Sequence, residues 1–192
     1  PEILREALPL KALVIEDDKI IELVARGNQP SMVVDAVIDA REHVVIPGLV
    51  STHHHYYQTL TRAFNDSLDK ELFDWLTTLY KVWQNLTPES LHIASKTAMA
   101  ELLLSGCTTS ADHHYVFPRG LENAIDIQVK AAREMGIRSV LTRGSMNLSQ
   151  KDGGLPPDSV VQDEDVILAD CERLIHKYHD DSDGAMIQIA LA

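Results

Sequence analysis

Three consecutive histidines, His53-His54-His55, follow the run Val44-Val45-Ile46-Pro47-Gly48-Leu49-Val50-Ser51-Thr52. On an extended strand, side chains two residues apart share a face, so His53 and His55 point one way and His54 the other. Two imidazoles on one face can each give a ring nitrogen to a single divalent cation, at about 2.0–2.1 Å for zinc. A histidine-rich loop without metal uses the same residues, and the spacing alone leaves both readings open. Two further polar clusters sit where apolar runs end: Asp112-His113-His114 and Arg143.

The elements around these residues decide how much they mean. Residues 11–15 and 20–25 are short β-type runs separated by Glu16-Asp17-Asp18-Lys19, which predicts a hairpin. Residues 33–40 predict a third, half-buried strand, so 1–43 is assigned to a separate small β element. From residue 44 the pattern changes. A buried strand interrupted by Pro47-Gly48 runs into the histidines, and apolar residues at helical spacing predict a helix over 71–83. Thr87-Pro88-Glu89 opens a second helix that Gly106 closes. Strands over 107–111, 137–142 and 186–191 then alternate with helices over 121–135 and 160–179.

That order, β-α-β-α-β-α-β, predicts a parallel sheet covered by helices. Four such strands are half of a TIM (β/α)8 barrel, which needs roughly 250 residues. Barrel sites lie at the C-terminal ends of the strands, where the polar clusters fall. The expected organisation is therefore part of a small β-sandwich over 1–43 and the first four β/α units of a barrel over 44–192.

With 45% hydrophobic and 24% charged residues, the chain can bury a core. A net charge of −12 repels phosphate backbones, which argues against a nucleic-acid partner. Cys107 and Cys171 are far apart and form no CxxC, so neither a disulfide framework nor a cysteine metal knuckle is expected, and a cytoplasmic setting fits. Cys107 reads as a small buried strand residue rather than a nucleophile. No run of eighteen apolar residues predicts a membrane span. The opening Pro1-Glu2-Ile3-Leu4 has no initiator Met, so the natural start is expected upstream.

Several of these segments resemble the amidohydrolase superfamily. Val45 to His55 is similar to its first barrel strand, Gly106-Cys107-Thr108-Thr109 to its second-strand G-x-T-T, and Ile137 to Gly144 to its third strand in the nucleobase deaminase branch. Within that branch, His53 to Arg62, Leu72 to Leu76, Ser105 to Thr109 and Asp152 to Asp158 resemble the 8-oxoguanine deaminases and the hydroxyatrazine ethylaminohydrolases.

The resemblance implies that His53 and His55 are two ligands of one divalent metal, zinc in the first instance with iron as an alternative. It implies that Gln58 bonds a substrate ring edge and that Arg143 contacts substrate. The competing readings are a solvated loop for Gln58 and a local ion pair, for example with Asp152, for Arg143. Trp75 is expected to pack a helix under the site. His113 and His114 are read as support or core residues, one of them a candidate for the pocket wall, and His92, His176 and His179 as surface residues on helices.

The family's remaining metal ligands and its acid/base residues lie on later strands, so no catalytic residue is expected within 1–192. The implied activity is metal-dependent hydrolytic deamination of an aminated purine-type ring, with 8-oxoguanine converted to urate and ammonia. An s-triazine or other guanine- or cytosine-like ring, and a non-catalytic metal-binding barrel, are the alternatives. Partners implied are a small nucleobase-like molecule and a second copy in a homodimer, with no nucleic acid and no membrane.

Overall fold

The computed structural model describes residues 10–192. The opening Pro1-Glu2-Ile3-Leu4 lies outside the described residues. The chain divides into two compact units, one ending at Ile46 and one spanning Pro47–Ala192.

In the first unit, β1 (Leu10–Glu16) and β2 (Lys19–Ala25) form the antiparallel hairpin expected from their runs. Asp17 turns it with φ 53°, a left-handed conformation that a short polar residue tolerates. The strand expected over 33–40 is absent. Those residues are irregular, with Val33 96% and Ile38 90% exposed. The alternating pattern is real, but a strand needs a partner for its backbone groups, and no described segment pairs there.

The second unit is a four-stranded sheet in the order β3 (Leu49–His54), β4 (Cys107–His114), β5 (Arg138–Arg143) and β6 (Ile187–Leu191), parallel throughout. Helices α1 (Leu72–Trp83) and α2 (Pro88–Leu104) connect β3 to β4. Helix α3 (Ala124–Met135) connects β4 to β5, and α4 (Glu164–Tyr178) connects β5 to β6. This is the βα order of an eight-stranded barrel, with four of its strands present. Strand β3 starts five residues later than the apolar run. Val44, Val45 and Ile46 precede it and are exposed.

Local signals explain the helix limits. Thr87 caps α2 through a reciprocal pair with Ser90, and Pro88 occupies the first turn, where its missing N–H costs nothing. Gly136 ends α3 at φ 69°, where any side chain would be strained. The core lies between the sheet and its helices. Leu91, Ala98 and Met99 of α2, Ile125 and Val129 of α3, and Leu174 of α4 pack with Leu141, Ile187 and Ile189 from the strands. Alternation assigns the opposite face of the sheet. On β4, Ser110, Asp112 and His114 are fully buried, whereas Ala111 and His113 are only half-buried on the other side. That second face corresponds to a barrel's interior.

Candidate metal centre

His53 lies at the end of β3 and His55 just past it, at the start of the 3-10 helix that follows. Their Nε2 atoms lie 3.1 Å apart with ring planes nearly perpendicular. The pairing of β3 with β4 shifts between Ser51 and His54, an irregularity of the kind that re-aims side chains at strand ends. His55 Nδ1 donates to the His113 carbonyl at 2.7 Å, because a carbonyl oxygen only accepts. That bond puts the proton on Nδ1 and leaves Nε2 of His55 as a bare lone pair aimed at Nε2 of His53. Two nitrogens each about 2.0–2.1 Å from one ion, at angles between about 90° and 110°, stand roughly 2.9–3.4 Å apart, so the pair fits a shared divalent cation. A carbonyl holding the far nitrogen of a ligand histidine is the usual support for such a site. Burial, more than any neighbouring charge, lowers the His55 pKa and keeps the ring neutral, as a ligand must be. Among the described residues no group of three or more His, Cys, Asp or Glu side chains could hold an ion.

The end of β4 packs directly on this pair. The His113 ring stacks on His53 at 4.5 Å between centroids, and the Tyr115 ring stands edge-on to His55 at 5.5 Å. Both line a cavity of about 210 Å³ with Thr142, Gly144, Ser145 and Ala192, at the C-terminal ends of β4 to β6. His113 is thus the pocket-wall member of the two histidines. His114 is the core member: it is fully buried, its Nε2 donates to the Val116 carbonyl at 2.7 Å, and burial pushes its pKa down to about 3. The two-residue period of a strand separates them, and the sequence alone could not say which face was which.

Gln58 lies in the 3-10 helix Tyr56–Thr61 that follows β3 and is half-buried. Its Nε2 donates to the Tyr57 hydroxyl at 3.1 Å. Trp75 packs against Trp83 in the aromatic layer that also holds Tyr57 and Tyr80. His92 bonds Glu134 across α2 and α3, and His176 is exposed on α4.

Arg143 departs from the expectation. It shares the helix-facing side of β5 with Leu141, and its guanidinium is fully buried away from the cavity-lining Thr142. Its Nε donates to Asp170 at 3.1 Å, Nη1 to the Gly144 carbonyl at 2.6 Å and Nη2 to Gln162 at 2.6 Å. The Phe117 ring lies 4.0 Å beneath it. The carboxylate it pairs with is Asp170 on α4 rather than Asp152, which instead accepts from Ser149. The buried guanidinium is thus engaged in a local ion pair, the alternative reading of this residue, on the face of β5 opposite the cavity-lining Thr142. Strand parity counted from Leu141 was the signal that could have shown it.

A parallel α/β sheet with a convergent histidine pair at the end of its first strand is the front of a β/α barrel; the chain belongs to the Amidohydrolase family, whose sequence pattern matches residues 44–192. It is 60% identical to the 8-oxoguanine deaminase of Pseudomonas aeruginosa over 94% of this chain and 40% of that protein. It is 35% identical to the hydroxydechloroatrazine ethylaminohydrolase of Pseudomonas sp. (strain ADP), over 81% of this chain and 33% of that one. Among solved structures, the atrazine chlorohydrolase of Arthrobacter aurescens complexed with zinc superposes with a TM-score of 0.85 at 30% identity, covering 93% of this chain and 41% of that chain. The chain therefore spans less than half the length of each of these relatives. Among the described residues no helix is long and apolar enough to cross a membrane.

Proposed function

We propose that this chain supplies the first metal ligands and one substrate-reading residue of a hydrolytic deaminase acting on an aminated purine, with 8-oxoguanine as substrate. The observation that carries the proposal is the His53–His55 pair, its Nε2 atoms 3.1 Å apart against the cavity-lining His113, with the His55 tautomer set by the His113 carbonyl. The purine follows from the 60% identity to an 8-oxoguanine deaminase, well above the 35% to the triazine enzyme.

A divalent cation bound there, zinc in the first instance, supplies Lewis acidity that brings the pKa of water toward neutrality. The chain's own residues do the rest of the local work. His53 and His55 give the lone pairs, and His113 keeps His55 in the liganding tautomer. Gln58 can pair its amide with the amide edge of the purine ring, rejecting rings that leave its polar atoms unpaired. In the net reaction, 8-oxoguanine and water give urate and ammonia: a C–O bond forms at the amine-bearing ring carbon and the C–N bond there breaks. One hydrogen of the water passes to the departing nitrogen to give ammonia, and the other stays with the product.

The test is a substrate panel on the full-length protein. Turnover of 8-oxoguanine to urate at least about tenfold above hydroxyatrazine in kcat/KM supports the purine assignment, a difference of roughly 1.4 kcal/mol in transition-state binding. The reverse order moves the assignment to a triazine, and no turnover of any aminated ring by metal-loaded protein removes the deaminase reading.

A further inference from the structure

We infer that Asp112 is a positioning residue for the metal centre: its buried carboxylate holds the backbone turn that aims His55. The inference rests on the metal reading of His53 and His55.

The chain turns sharply at His55, where φ is −132° and ψ is 86°, and enters the 3-10 helix Tyr56–Thr61. The first amide of such a helix has no acceptor within it. Tyr56 is fully buried, so its N–H needs a partner from elsewhere in the protein. Asp112 provides it, with Oδ1 accepting from Tyr56 N at 2.5 Å. Its other oxygen accepts from Gln128 Nε2 of α3 at 2.7 Å, and both side chains are 0% exposed.

The next residue of β4 repeats the grip one position earlier, since the His113 carbonyl accepts from His55 Nδ1. Consecutive residues of β4 thus hold residues 56 and 55 of the turn. The first bond fixes the direction of the backbone, and the second fixes the rotation of the ring.

Burying a carboxylate is costly, and an apolar residue of the same volume would pack the core at less expense. The site therefore calls for the acceptor that Tyr56 uses. Without it, Tyr56 N–H is left unpaired in the core or the turn moves to find another partner. Either outcome shifts the Nε2 of His55 relative to that of His53, and a chelating pair loses affinity when its spacing changes. Gln128, at the far end, keeps the carboxylate pointing at Tyr56.

The experiment measures the zinc dissociation constant of the full-length apoprotein by competition with a chelating indicator, alongside thermal melting. Asp112→Leu keeps the shape and removes both acceptors; it is expected to weaken zinc binding by about 10- to 100-fold. Asp112→Asn keeps an oxygen for Tyr56, and Gln128 can flip its amide to face the new Nδ2, so zinc affinity should stay within about threefold. A folded Asp112→Leu with wild-type zinc affinity overturns the inference. Loss in Asp112→Asn equal to that in Asp112→Leu overturns it too, because the charge and not the acceptor would then matter. Should Asp112→Leu fail to fold, Gln128→Met takes its place: weaker zinc binding supports the inference, and unchanged affinity in folded protein overturns it. His53→Ala separates the two levels. Zinc binding untouched by His53→Ala sinks the metal reading itself, whereas loss there with retention in the position-112 variant sinks only the role of Asp112.

Discussion

At His55 the two ring nitrogens do different jobs: Nδ1 is spent on the His113 carbonyl, and Nε2 is left to face His53. The side chain of Gln58, three residues on, lies outside this pair and donates to the Tyr57 hydroxyl. The two positions should therefore fail in different ways. In the full-length protein, His53→Ala is expected to lose both bound metal and activity. Gln58→Ala is expected to keep its metal while kcat/KM for 8-oxoguanine falls by about 10- to 1000-fold, the cost of one or two hydrogen bonds to a buried edge. Metal analysis beside steady-state kinetics checks both; equal kcat/KM in Gln58→Ala and wild type would remove its substrate role. Arg143 belongs to a third category. Arg143→Met removes the donor of the Gly144 carbonyl and of Gln162, while Asp170 keeps Arg173, so urea unfolding should show about 1–3 kcal/mol of lost stability. A loss of activity with undiminished stability would instead return Arg143 to the substrate.

Helices α3 and α4 are joined through Asp126, which accepts from Arg173 at 2.7 and 3.0 Å, Lys177 at 2.8 Å and Tyr178 at 2.7 Å. Burial acts to raise the Asp126 pKa, but these four bonds together outweigh it and hold the carboxyl well below the usual carboxylate range. Because the folded-state pKa lies below the unfolded value of about 3.9, the stability gained is present above that value. It is lost as pH falls through the folded-state pKa. The unfolding free-energy gap between wild type and Asp126→Asn should thus be widest near neutrality and narrow as pH drops below about 4. A gap independent of pH would mean that the network contributes nothing through charge. The helices themselves were legible because their signals are local: the Thr87-Pro88 start and the Gly136 stop are where the residue types place them. The strand over 33–40 was misread because strand formation depends on a partner that local pattern does not reveal.

On the scale of the whole molecule, β3 and β6 are the outer strands of the sheet, and each has an unpaired parallel edge among the described residues. On β3, Leu49 and Val50 are exposed. Long unpaired edges with apolar side chains promote association. Expressed by itself, this 192-residue chain is expected to aggregate, as measured by sedimentation and light scattering. A monomer that melts cooperatively would contradict the half-barrel reading. The residue types and their order by themselves determined the βα alternation, the parallel sheet, the histidine pair and its likeness to the amidohydrolases. These depend on periods of 2 and 3.6 residues and on contiguous motifs, which a chain carries without being folded. Tertiary structure alone decided that His113 lines the pocket while His114 is core, that Arg143 pairs with Asp170 rather than Asp152, and that Asp112 reaches across 56 residues to Tyr56. Those outcomes turn on which face of a strand meets the helices and on which distant amide is left without an acceptor, and both are set only when the sheet is assembled.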